Sequence, residues 1–365
     1  DVSCNRKCAL TIYDTIFNYW SGTAIIWTFI SKENIFMDTN TTDRSTKTVN
    51  YTFLMPAYKT DYLREAIQSI LNQTYNEFRL IISDDCSPYD VEKIVKEFDD
   101  SRIIFRRNKT NIGGVNLVEH WNLLLGLANT EFIILSPDDD VYSSRFLEEI
   151  NTLTHKYPQC NVFKSRAQDI NEFGEPYKTD KVYPEFITQT ENIKFQSCDN
   201  IISGIGQYVF RSKPLLRIGG FVNYPVAWWS DVMTHVILSD NGMAITNDIL
   251  FSFRHFNGNI SSRKSSPTER ISKTKSTLMF CDDMKSIIQT NTHLSTQDYT
   301  NICQFLNNTK LKWIYSSASV SSLKDNIKLI QSNPDAFNSL SKKIRLLRYW
   351  LTKDWVVGAI IKTTK

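Results

Sequence analysis

The sequence predicts an α/β fold, a mostly parallel sheet covered by helices on both faces and followed by a helical C-terminal region. Three observations carry this. Short apolar runs alternate with amphipathic stretches between Tyr51 and Leu135, the pattern of successive strand–helix units. Acidic residues gather where those apolar runs stop, and open α/β sheets bind ligands beyond the carboxyl ends of their strands. From Leu278 onward the apolar spacing is mostly helical.

Tyr51–Met55 is expected to form a buried strand ended by Pro56. Leu63, Ala66, Ile67, Ile70 and Leu71 share one helix face. Phe78–Ile82 is a second strand, Val91–Phe98 a short helix and Ile103–Phe105 a third strand. Gly113 and Gly114 open a helix running to about Leu127, and Glu131–Leu135 is the fourth strand. Further on, Val232–Leu238 is expected to be helical and Ile249–Phe253 extended.

At 365 residues the chain suggests about two domains. With 41% hydrophobic and 22% charged residues, disordered and fibrous classes are excluded. The net charge of +3 is unevenly spread: residues 341–365 hold seven Lys/Arg against one Asp, and residues 263–276 five against one Glu. A nucleic-acid binder with a generally basic surface is excluded, because the rest of the chain is acidic. The seven cysteines are scattered and only Cys4 and Cys8 are close, with no partners for a zinc site. Buried free thiols in a reducing, cytoplasmic compartment are expected.

The expected organisation has four parts. Residues 1–49 are a leader or weak membrane-proximal segment, with one charge, Asp14, between Cys8 and Ser31. Residues 50–262 are the α/β domain. Residues 263–276 are a basic flexible loop, either folding over bound phosphates or linking the domain to the C-terminal region. Residues 277–365 are helical and end in a basic amphipathic helix, with Ile344, Leu347, Leu351 and Trp355 on one face and Lys342, Arg345 and Arg348 on another. That helix suits either an anionic membrane surface or packing on the domain.

The second strand runs into Asp84-Asp85-Cys86-Ser87, and the fourth into Ser136-Pro137-Asp138-Asp139-Asp140. Burying three adjacent carboxylates without a cation costs several kcal/mol. Hard oxygens suit Mg²⁺ or Mn²⁺, bound through one or two carboxylates and completed by substrate phosphates. The bland alternative, a solvated turn capping a helix near Ser143, is disfavoured by the position at the mouth of the sheet. No P-loop occurs, and Gly204-Ile205-Gly206 lacks the rest of a dinucleotide fingerprint.

These pieces, in order, resemble the family 2 glycosyltransferases of the GT-A fold. The matching residues are Pro56-Ala57-Tyr58, Ala66 to Gln73-Thr74-Tyr75, Asp84-Asp85-Cys86-Ser87, Asn111-Ile112-Gly113, Asn122, Asp138-Asp139-Asp140, Gly219-Gly220-Phe221, Trp229-Ser230-Asp231 and Arg254-His255. Two departures are Ser136-Pro137, where many members carry an aspartate, and Val118-Glu119-His120, where an Ala-Arg pair is common. The resemblance implies a Rossmann-like mixed sheet and an inverting, metal-dependent transfer from a nucleotide-diphosphate sugar, with UDP expected.

Under the resemblance, Pro56, Ala57 and Tyr58 line the base and ribose pocket with Ser87, Asn111 and Gly113. Asp84 or Asp85 meets the base, Asp138 the ribose with Asp139 beside it, and Asp140 holds Mn²⁺ or Mg²⁺. His255 contacts that metal or the pyrophosphate. Asp231 is the base that deprotonates the acceptor hydroxyl, or a helix N-cap. Trp228 and Trp229 stack on an acceptor sugar, or belong to the core. The acceptor is a glycan or lipid-linked hydroxyl in surface-polysaccharide assembly at the inner face of the plasma membrane, with no nucleic-acid partner. Alternatives are transfer to a polyprenyl phosphate, a catalytically silent glycan-binding relative, or a nucleotidyltransferase without need of Trp228–Asp231.

Overall fold

The computed structural model describes residues 49–346, apart from residues 199–200, 260, 319 and 340. The expectations for residues 1–48, and for the amphipathic helix beyond residue 346, lie outside the described residues. The first half is built from β1 (Tyr51–Ala57), α1 (Leu63–Leu71), β2 (Phe78–Asp84), α2 (Val91–Val95), β3 (Ile103–Arg107), α3 (Leu117–Leu125) and β4 (Phe132–Leu135). These four strands pair in parallel in the order β3-β2-β1-β4. Near-continuous apolar runs are what a strand covered on both faces requires.

The second half turns the sheet mixed. It comprises β5 (Val141–Tyr142), α4 (Phe146–Lys156), β6 (Val162–Ile170), β7 (Pro176–Thr179), β8 (Phe186–Ile187), α5 (Gln189–Cys198), β9 (Tyr208–Arg211), α6 (Ser212–Arg217), α7 (Ser230–Leu238) and β10 (Met243–Arg254). Strand β9 inserts between β4 and β6 and runs antiparallel to both. Beyond it β10 pairs with β6 in parallel and with β5 antiparallel. Three further helices follow: α8 (Pro267–Thr290), α9 (Thr296–Ala318) and α10 (Leu323–Ser332). The structure thus has the mixed sheet and flanking helices that the resemblance implied, and the helical C-terminal region that the apolar spacing predicted.

Alternating side chains of β1 feed two cores. Phe53 packs with Ile67, Ile70, Phe146 and Ile150 on one face, while Leu54 joins Val118, Trp121, Phe210 and Phe221 on the other. A third core seals α7 against the C-terminal helices, where Val232, Met233 and Val236 meet Phe280, Met284, Ile302 and Leu306. Cys86, Cys160, Cys281 and Cys303 are free thiols, with Cys160 and Cys281 buried.

Three local expectations are corrected. Pro56 does not end β1. The Leu54 carbonyl bonds toward β4 and the Ala57 carbonyl toward β2, so in the alternating ladder Pro56 faces past the last β4 partner, Leu135. A missing N–H costs nothing there. Gly113 and Gly114 do not open the next helix: α3 starts at Leu117, capped by the Asn116 side chain accepting the Glu119 N–H. Residues 263–276 are not a loop throughout, since α8 begins at Pro267 with a Ser266–Glu269 capping box.

Candidate functional site

The carboxyl ends of β1, β2 and β4 open on one edge of the sheet, and the acidic residues meet there. Asp138, just past β4, accepts the backbone N–H groups of Tyr58 and Lys59 at 2.9 and 2.8 Å on one oxygen. It thereby fixes the chain as it leaves β1. Lys59 Nζ lies against Asp139 Oδ2 and 3.6 Å from Asp138 Oδ1, over the Phe256 ring at 4.8 Å. Asp140 is fully buried, and its Oδ1 accepts the Arg254 N–H at 2.8 Å. Its Oδ2 is buried without a partner. Burial, then the neighbouring carboxylates, push Asp139 up and Asp140 well above the usual carboxylate range. The cluster therefore favours a cation.

Arg254 holds this cluster from behind. Buried itself, it donates from Nε to the Asp139 carbonyl at 3.0 Å and from Nη2 to Glu65 at 2.7 Å, while its guanidinium lies 4.3 Å from the Tyr62 ring centre. The chain continues into His255, whose ring faces elsewhere. His255 Nδ1 is 2.8 Å from Ser262 Oγ, and Nε2 is 3.1 Å from Asp169 Oδ1. In this structure the His255 ring lies beside Asp169 and Ser262, with Nε2 buried and in no hydrogen bond among the described residues. Among the described residues, no three His, Cys, Asp or Glu side chains gather into a metal-holding group.

The Asp84-Asp85 pair divides its labour. Asp84 is buried, takes the Ser87 N–H at 2.8 Å on one oxygen and pairs with Arg107 through the other. Ser87 Oγ donates to the Tyr58 carbonyl at 2.6 Å, closing the wall beside Tyr58. Asp85 instead turns inward. It accepts from Asn108 Nδ2 at 2.8 Å, from the Ile112 N–H at 2.9 Å and from the Gly113 N–H at 2.6 Å. His120 Nδ1 sits 3.5 Å away, its pKa lowered by burial. With both oxygens spent on the 108–113 loop, Asp85 is an anchor for that loop, while Asp84 anchors Ser87 and Arg107; Tyr58 beyond them is partly exposed. Asn111 closes the same turn by accepting the Gly114 N–H at 2.6 Å.

Asp231 stands in the first turn of α7. It takes the Val232 N–H at 2.8 Å, and burial of its carboxyl pushes the pKa up to about 6. The approach to it is strained: Val226, Ala227 and Trp229 all have positive φ, at 52°, 57° and 69°. Such conformations cost non-glycine residues on the order of 1–3 kcal/mol each, the β-branched Val226 most clearly. Trp229 is held by stacking on Phe280 at 4.5 Å and by donating from Nε1 to Thr277 at 3.1 Å. It is partly buried and packs against the core around Phe280, in keeping with the core alternative expected for it. Trp228 lies edge-on to Trp313 at 5.2 Å with Lys273 over its ring, and its Nε1 is buried without a partner.

Residues 52–217 match the family model described as glycosyl transferase family 2. Over those residues the chain is similar to that family. Among curated relatives, an "Uncharacterized glycosyltransferase" of Haemophilus influenzae is 28% identical over 157 residues, 42% of this chain and 50% of that protein. The "UDP-Glc:alpha-D-GlcNAc-diphosphoundecaprenol beta-1,3-glucosyltransferase WfgD" of Escherichia coli is 32% identical over 96 residues, 26% of this chain and 37% of that one. The chain thus spans half or less of the length of these relatives. The crystal structure of S. aureus TarS 1-349 in complex with UDP-GlcNAc shares the fold at 16% identity, with a TM-score of 0.59 over 85% of this chain and 92% of that one.

The remaining motif residues act as fasteners. Gln73 donates to the Ser143 carbonyl at 2.7 Å and accepts the Leu147 N–H at 2.9 Å, tying α1 to the start of α4. Gly220, at φ 94°, lies so close to Asn122 that an added Cβ would meet Asn122 Oδ1 at 2.3 Å. Lys59, Arg107 and Arg254 are the polar partners that the motifs alone do not assign. Lys59 could have been suspected, because it directly follows Tyr58 at a strand end.

Proposed function

We propose that this chain is an inverting glycosyltransferase that moves a sugar from a UDP-sugar donor to a hydroxyl of a glycan or lipid-linked acceptor, in cell-surface polysaccharide biosynthesis. The observation that carries the reading is the cluster of Asp138, Asp139 and Asp140 at the carboxyl edge of parallel strands, with Asp140 Oδ2 buried and unpartnered. An orphaned hard oxygen beside a second carboxylate suits Mn²⁺ or Mg²⁺ completed by a diphosphate. Asp140, with Asp138 next to it, is the proposed holder. Bound there, the cation would neutralise charge on the leaving diphosphate. The choice of donor and of a lipid-linked acceptor follows the name of the E. coli relative.

The roles of the chain's own residues follow from their positions. Tyr58 and Asp84 flank the space proposed for the nucleoside, with Pro56, Ala57 and Ser87 behind them. Asp231 takes the proton of the acceptor hydroxyl as its oxygen attacks the anomeric carbon, and the bond to the diphosphate oxygen breaks with its electron pair leaving on UDP. One displacement inverts the anomeric centre. A pKa near 6 leaves Asp231 mostly ionised at pH 7 yet basic enough to accept a proton. The proposed setting is the cytoplasmic face of the membrane. No helix among the described residues is long and apolar enough to cross one.

The test is a donor screen. Purified full chain with Mn²⁺, an oligosaccharide or diphospholipid acceptor and each common UDP-sugar should release UDP with one donor, and Asp231→Asn should bind UDP but release none. Unchanged turnover in Asp231→Asn overturns the base assignment, and release from GDP-sugars alone overturns the choice of nucleotide.

A further inference from the structure

Lys59 stands where a cation would be wanted. Its ammonium touches Asp139 Oδ2, lies 3.6 Å from Asp138 Oδ1 and rests over Phe256. Both carboxylates are about 95% buried while the lysine side chain keeps 27% of its surface exposed. The lysine therefore enters the cluster from the solvent side and has room to leave. Burial opposes its charge, but Asp138, Asp139 and Asp140 more than offset this and hold its pKa above the usual lysine value. Asn259 Nδ2 approaches Asp139 Oδ2 at 3.4 Å, so that oxygen keeps a weak donor without the lysine. Asp140 Oδ2 has no partner. Three adjacent carboxylates thus face one half-buried lysine ammonium, with one buried oxygen left over.

We propose that Lys59 is a tethered counter-ion that competes with the divalent cation for the aspartate cluster and, once displaced, pairs with the donor diphosphate. The inference rests on the metal reading given under Proposed function. Charge decides the direction of each half. An ammonium and a divalent ion a few ångströms apart repel strongly even at an effective dielectric constant of about 20, so both are not held in the same cluster. A divalent ion would offset the three carboxylates further than a single ammonium does, freeing the lysine. A diphosphate entering beside that ion brings new negative charge within reach of a flexible four-carbon stem. Lys59 would then make metal binding weak in the absence of nucleotide and cooperative with it, because the displaced ammonium gains a partner only when the diphosphate is present.

The experiment measures Mn²⁺ binding, by electron paramagnetic resonance of free Mn²⁺ and by calorimetry, for the full wild-type chain, Lys59→Met and Lys59→Arg, each with and without UDP. Without UDP, Lys59→Met should bind Mn²⁺ about tenfold or more tightly than wild type, and Lys59→Arg should stay near wild type. UDP should tighten Mn²⁺ binding several-fold more in wild type than in Lys59→Met. Circular dichroism and thermal melting establish that the variants are folded; the Lys59→Arg arm carries the test should Lys59→Met not fold, since a cation at this position must preserve both the weak binding and the UDP coupling. Equal Mn²⁺ affinity in folded wild type and Lys59→Met, or equal coupling to UDP, overturns the role of Lys59 while leaving the metal site standing. Absence of Mn²⁺ binding in every variant, with and without UDP, overturns the metal reading and this inference with it.

Discussion

Asn122 grips the backbone of Phe221 with both ends of its side-chain amide: Oδ1 accepts the Phe221 N–H at 2.8 Å, and Nδ2 donates to the Phe221 carbonyl at 3.1 Å. The clamp joins α3 to the segment that leads to Asp231, across 99 residues of sequence. Replacing Asn122 by Ala leaves two backbone groups of a partly buried turn unpaired, a loss of roughly 2–3 kcal/mol. Urea unfolding should register that loss. Transfer should fall further than UDP affinity, because the clamp positions the acceptor side and touches none of the residues proposed to hold the nucleotide.

Asp231→Asn should separate catalysis from stability. A carboxyl held near 6 when folded and near 3.8 when unfolded makes the folded state the stronger proton binder between those values. Stability contributed by this group is therefore present below about pH 4 and lost as pH rises through 6. At pH 7 the Asn variant should be more stable than wild type by roughly 2–3 kcal/mol, the gain vanishing by pH 4. For wild type, kcat/KM should drop about tenfold per pH unit below 6, and a profile flat through that range speaks against Asp231 as the base.

Trp229→Ala and Trp228→Ala should differ. Trp229 stacks on Phe280 and bonds Thr277, so its truncation should cost about 3–5 kcal/mol of stability and lower the thermal midpoint. The buried indole N–H of Trp228 has no partner among the described residues. Trp228→Ala should change acceptor KM more than stability. The reverse pattern would return the acceptor role to Trp229.

Gly113→Ala should damage the loop anchored on Asp85. The added methyl would lie 2.8 Å from Asp85 Oδ2, the oxygen that accepts the Gly113 N–H. Pushing that carboxylate away loosens bonds to residues 108–113, and a stability loss of about 1–3 kcal/mol is expected. Calorimetry should also show weaker UDP binding, since Asp84 and Asp85 are adjacent.

The strands and the acidic edge are legible in the sequence because both are local signals: apolar runs without breaks, and carboxylates where the runs end. What each carboxylate does is not local. Asp84 and Asp85 are identical in sequence, yet Asp85 turns to backbone amides contributed 27 and 28 residues later. Trp229 looks free for a sugar because its stacking partner, Phe280, belongs to another helix. The first turns of α8 read as a basic loop although Ser266, Pro267 and Glu269 spell a helix start. Its buried positions there include Lys273, Thr274, Ser276 and Thr277, so no apolar periodicity marks the buried face. His255 fits the motif, but its partner Asp169 lies on β6, which motif spacing does not reveal.

The strained segment before Asp231 bears on how this chain can be divided. Val226, Ala227 and Trp229 hold unfavourable backbone angles next to α8, which takes the Pro225 carbonyl with Ser276 Oγ at 2.5 Å and captures Trp229 through Thr277 and Phe280. The C-terminal helices therefore act as a splint, keeping a bent spring in its loaded shape. Cut away, the spring has every reason to relax and to carry Asp231 with it. Engineers who graft the sheet onto another tail should inherit the nucleotide side intact and find the acceptor side slack.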